Sequence, residues 1–367
     1  MTKKEKRERK KQDKGIVDFM MVTNHFFHDL REWIAEMDDP RNQSYITYQQ
    51  TDLSYMAILK NVCGQYSMRE MEENFNKENC IRTLRLMSGN QELNEMPHYD
   101  TLNYYLEKLS PECLSELRKK MVVSLIRGKQ FNKNRLLGKH WRVIFDGTGL
   151  FYFKEKHCKN CLCTERETAD GKKVKLYYHK VIEAKIVLND SVVVSLGTEF
   201  IENEKEDVGK QDCEINAAKR LMAKIKKEVM NVFEYEYKTE DKEGKKHTTR
   251  FQWVSSIELT KRNIEEMIPA GRGRWKIENE GFNNQKNGLY RIEHLNSKNS
   301  NAMKNHYLLT QISDILMQLY LAWNPYIKEL KQTIKNTSSG LLESFRRQTV
   351  TKEDVSYIFR YTTVYLE

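Results

Sequence analysis

Apolar positions at helical spacing dominate the first third of the chain. Leu114, Leu117, Met121 and Leu125 recur three or four residues apart, the interval that puts side chains on one face of a helix. The pattern stays helical from Ile16 to about Asn134. Ser110-Pro111-Glu112 reads as an N-cap, a proline at the first helical position and an acid in the first turn. Just upstream, Met96-Pro97-His98-Tyr99-Asp100-Thr101 opens another helix, with Asp100 or Thr101 as its cap. Two short capped helices fit a helix-turn-helix, and equally any all-helical domain.

At Trp141 the texture changes. Trp141-Arg142-Val143-Ile144-Phe145 is short, apolar, and rich in β-branched and aromatic residues, which predicts a buried strand ending at Asp146. Tyr178–Leu188 and Ser191–Ile201 repeat that character on either side of Asn189-Asp190, a turn signal. A helix capped by Asp212 follows, with Ile215, Ala218, Met222 and Ile225 on one face. Asn231–Val254 alternates weakly around a charged turn at Glu240–Lys246 and reads as a hairpin. Beyond Thr260 the chain is helical again, and Leu308, Ile312, Ile315 and Leu319 mark the core face of a long helix ending before Pro325. The order predicts a mixed α+β or α/β fold. Its expected parts are a tail (1–15), a helical domain (16–135), a mixed core with a hairpin insertion (136–325) and a helical extension (326–367).

Charge adds a partner class. Lys and Arg exceed Asp and Glu by 62 − 52 = 10, and a basic balance favours a polyanion such as duplex DNA. Residues 3–14 hold eight basic against three acidic side chains, a local +5, and read as a disordered tail or a phosphate-contacting arm. No run of about 20 apolar residues predicts a membrane span. Seven cysteines in 367 residues are too sparse for a disulfide framework and suit a reducing cytosol. Cys158-Lys159-Asn160-Cys161 is half of a tetrahedral zinc site. Cys163 or His157, together with His179, can complete it, while free reduced thiols remain the alternative. Cys63, Cys80, Cys113 and Cys213 stand singly and read as fillers.

Two further features carry candidate chemistry. Asp146-Gly147 follows the first strand, where open sheets place functional carboxylates, although Asp-Gly is also a common turn pair. Far downstream, Arg274 and Glu278 lie four apart, on one helical face with Phe282; alone they are an ordinary surface pair.

Together these stretches resemble an insertion-sequence transposase of the Asp-Asp-Glu type, built on a ribonuclease-H-like core. The resemblance covers roughly residues 90 to 325. It rests on Ile144–Thr148, Tyr178–Lys185, Thr198–Asn203, Asp212–Glu214 and Arg274–Asn283. In such transposases the last acid lies in a Tyr-x-x-Arg-x-x-x-Glu-x-x-x-x-x-x-Lys signature. Here Arg274 and Glu278 match, Gly271 stands at the tyrosine position, and Lys286 arrives one residue late. The resemblance implies double-stranded DNA as partner, self-association on it, a cytoplasmic nucleoid location, and metal-dependent cleavage and strand transfer. Asp146 and Glu278 would be catalytic ligands of Mg²⁺ or Mn²⁺ in a two-metal arrangement, with Arg272, Arg274, Lys276 and Lys286 on DNA phosphates. The middle acid is missing: the helix after Asp212 runs directly into Val229–Glu234, and Asp241 lies in a charged turn. A deleted block around that acid is expected, hence either a smaller sheet or the hairpin in place of the lost strand. Asp212 is the substitute ligand to examine. The alternative function is a derivative that binds DNA, or a full-length partner, without cleaving.

Overall fold

The structure, a computed structural model, describes residues 14–168, 170–203, 210–225, 231–240, 244, 246–273 and 277–360. Helices α1 (Ile16–Phe26), α2 (Leu30–Ala35), α3 (Gln50–Val62), α4 (Met68–Phe75), α5 (Glu78–Ser88), α6 (Tyr99–Lys108) and α7 (Pro111–Arg127) come first. They bear out the helical pattern, and Leu114, Leu117, Met121 and Leu125 are buried as a row on α7. Ser110 does hold the N-cap position there with Pro111 behind it, yet its hydroxyl bonds Glu112 and leaves the backbone uncapped. The cap of α6 is His98, whose Nδ1 accepts from Asp100 N at 3.2 Å, so neither Asp100 nor Thr101 caps it. The first residues of the basic tail lie outside the described residues.

Strands β1 (Arg142–Phe153), β2 (Leu162–Glu167), β3 (Lys173–Val187) and β4 (Val193–Ile201) form one antiparallel sheet. β3 is its centre. β1 runs along one side of β3 from Arg142↔Val187 to Phe153↔Tyr177, while β4 and β2 share the other side. Among the described residues β1 has no second partner, so the sheet stops there at four strands. The β3–β4 turn is held by Asn189, whose Oδ1 accepts from the backbone of Ser191 and Val192. One expectation fails: β1 does not end at Asp146. It continues through Gly147, Thr148 and Gly149, because β3 offers a ladder partner at each of these positions, and that pairing overrides a local turn signal.

Helix α8 (Glu214–Lys224) covers one face of the sheet through Ala217 and Leu221. The predicted face was rotated: Ile215 is 68% exposed, and Cys213 rather than Asp212 occupies the cap position. β5 (Asn231–Glu240) and β6 (Lys246–Ser255) make a separate hairpin sheet that does not take a place beside β1. After α9 (Ile264–Arg272) come two π-helical segments, Ile277–Phe282 and Asn284–Gly288. The long helix α10 (Ser300–Trp323) buries Leu308, Ile312, Ile315 and Leu319 and packs on α1, α3, α6, α7 and β4. Helices α11 (Pro325–Leu330), α12 (Ile334–Arg347) and α13 (Lys352–Ile358) follow. One apolar core runs from Ile16 through α10 to Ile358 and takes in the ends of β3 and β4. The fold is thus mixed α and β with antiparallel sheets. No described helix is long and apolar enough to cross a membrane.

Candidate metal centre and the acidic face of the sheet

The loop between β1 and β2 folds back over β3. It carries His157, Cys158 and Cys161 to His179, a buried residue of β3. Cys158 Sγ lies 3.3 Å from Cys161 Sγ and 3.4 Å from His179 Nε2. Cys161 Sγ lies 3.3 Å from His157 Nδ1 and 3.5 Å from His179 Nε2. All four ligand atoms fall within 4.8 Å of one another, and the group can hold a metal ion. Cys163 is not part of it; its backbone N–H and C=O are both taken by the Gln211 side chain.

Burial, then His157 and Lys304, push His179 down to about 4. Burial and Lys298 lower His157 as well. Burial and the Cys161 thiol push Cys158 up to about 11. A neutral imidazole offers one ring-nitrogen lone pair to a cation. The loop is also tied to the strand beyond it: Asn160 donates to Asn203 O at 3.1 Å, Asn203 donates to Cys161 O at 3.0 Å, and Asn203 Oδ1 accepts from Asp212 N at 3.3 Å.

Of the acids named by the resemblance, Asp146 lies in the same sheet and Glu278 on the π-helical segment Ile277–Phe282. Asp146 sits mid-strand, half-buried, directly opposite Glu183 of β3, so both carboxylates project on one face. Asp146 Oδ1 accepts from Gly147 N at 2.9 Å. Ile144, two positions earlier on that face, packs with Ile277 and Phe282, the residues bounding the turn that carries Glu278. Glu278 is itself exposed, and Arg274, Trp275 and Lys276 lie outside the described residues. Arg272 is exposed, its guanidinium 5.8 Å from the Phe251 ring centre of the hairpin. Lys286 is paired with Glu293 at 2.8 Å.

No third acid completes a divalent-cation site among the described residues. Glu183 is wholly buried and accepts from Ser195 Oγ at 2.6 Å and from the Thr198 hydroxyl, both of which also accept from Arg118. Asp212 pairs with Arg220 at 2.6 Å; burial pushes its carboxyl up, but that guanidinium outweighs burial and holds it below the usual range. Asp241 lies outside the described residues. The described carboxylates therefore do not fit two Mg²⁺ ions, each of which needs oxygen ligands from protein.

Sequence reasoning missed the buried polar layer on this face: Glu183 with Arg118, and Lys185, 3.7 Å from Asp314 on α10. The available signal was a Glu and a Lys two apart within the apolar run Val181–Val187. No family model, curated protein or solved structure matches the chain.

Proposed function

We propose that this protein is a DNA-binding derivative of insertion-sequence transposases, with the antiparallel half of a ribonuclease-H-like sheet and impaired phosphodiester cleavage. The observation that carries the reading is the apolar contact of Ile144 with Ile277 and Phe282. It joins the strand of Asp146 to the turn of Glu278, the two acids that such an enzyme would use. The impairment follows from the missing third acid: in-line phosphoryl transfer depends on positioned cations and electrostatic stabilisation, and two carboxylates leave that arrangement incomplete. Duplex DNA is the partner, bound by phosphate contacts from a chain of net charge +10. The metal we assign to the His/Cys cluster is zinc, which takes sulfur and nitrogen ligands.

The test uses the DNA that flanks the coding sequence. Binding is expected to fall steeply with salt, on the order of 10³-fold between 50 and 200 mM if about six phosphates are contacted. Salt-independent binding, or none, would overturn the DNA reading. With Mg²⁺ or Mn²⁺ only background nicking is expected. Strong nicking lost in both Asp146→Ala and Glu278→Ala would show a complete site and refute the impairment.

A further inference from the structure

We propose that His157, Cys158, Cys161 and His179 form a closed, four-coordinate structural zinc site, His157 binding through Nδ1 and His179 through Nε2. The proposal rests on the zinc assignment and is independent of the DNA reading. Zinc bound at about 2.3 Å to sulfur and 2.0–2.1 Å to nitrogen sets tetrahedral S···S and S···N separations near 3.8 and 3.5 Å. The sulfurs stand 3.3 Å apart, three of the four sulfur–nitrogen pairs 3.3–3.5 Å apart, and all four donors lie within 4.8 Å of one another, so a small contraction or expansion brings them to the corners of such a tetrahedron. The two sulfurs are too far apart for a disulfide, which needs about 2.05 Å, and both are free thiols. Two thiols with two imidazoles select zinc over the hard cations that prefer oxygen.

Four protein donors leave no open position for water, so the site does no hydrolysis. Its work is mechanical. One ion fixes the 154–161 loop to the middle of β3. Through Asn160 and Asn203 it also fixes the exit of β4 and the approach to α8. Cys163, the alternative ligand allowed by spacing alone, is excluded by its absence from the cluster.

The full-length protein should be purified without added metal and analysed for metal content, then loaded with Co²⁺ after chelation. We expect close to one zinc per chain and the intense tetrahedral cobalt spectrum of a two-thiolate site. Cys163→Ser should keep both, whereas Cys158→Ser should lose the two-thiolate signature. Because a ligand variant can misfold, hydrogen exchange of the wild-type chain with and without zinc supplies the second measurement. Zinc should protect residues 154–167 and 211–224 and leave α3 and α10 unchanged. Zinc below about a tenth of an equivalent, an octahedral cobalt spectrum, loss of metal in Cys163→Ser, or no zinc-dependent protection would each overturn the site. None of these readouts involves DNA, so either proposal can fail alone.

Discussion

Lys60 shows how a single residue can work against the fold around it. It is 5% exposed on α3, and burial holds its ammonium down at about 8, with Glu70 opposing. His294 and His306 both feel its charge. The folded value lies below the ordinary 10.5, so between those two pH values the folded chain holds fewer protons than the unfolded chain. Stability therefore climbs as pH rises from about 8 to 10.5, and the penalty is complete below 8. Lys60→Met should raise Tm at pH 7, the gain being at most about 3.5 kcal/mol by the roughly 1.4 kcal/mol per pH unit of linkage. Thermal melts at pH 7 and pH 10 check it: the advantage should shrink at the higher pH, and a constant advantage would contradict the mechanism.

Between elements, β4 and α8 approach closely. A Cβ on Gly197 would stand 2.8 Å from Leu221 Cδ1, so this glycine sets how near the helix lies to the sheet. Gly197→Ala should cost about 1–3 kcal/mol through overpacking. The double variant with Leu221→Ala should lose less than the sum of the two single changes, as measured by denaturant unfolding. Strict additivity would place the clash elsewhere. The legibility of these elements follows from where their specifying forces act. Helices α7 and α10 were readable because each buries an apolar stripe that its own sequence displays. β2 was not, since Cys163–Glu167 is largely polar and exposed from Glu165 on, and only its ladder with β3 makes it a strand. The Asp146-Gly147 turn was misread for the same reason. At the candidate metal centre the Cys-x-x-Cys pair is visible in sequence. The choice of His157 over Cys163 is not, because it depends on how the loop closes on a residue 18 positions beyond Cys161.

For the molecule as a whole, the N- and C-terminal helices belong to one core. Phe345 of α12 meets Phe75 of α4 edge-on with ring centres 4.9 Å apart, and α13 packs on α1. Tyr357 Oη donates to Asp18 at 3.1 Å, and Asn24 donates to Ile358 O at 3.2 Å. Removing residues 326–360 uncovers Phe75, Cys80 and much of α1, all buried in the full chain. The truncated protein should lose cooperative melting and become sensitive to protease within residues 16–135. An unchanged melt would show that the helical part folds alone. The Tyr357–Asp18 contact spans 339 positions, and that separation is also a delay. At roughly 5–20 residues per second of synthesis, α1 emerges about 17 to 70 seconds before the helix that covers it has been made. During that interval its apolar side chains lack their final partner, so a cell producing this protein must shelter a greasy nascent segment until Tyr357 and its helix have been made.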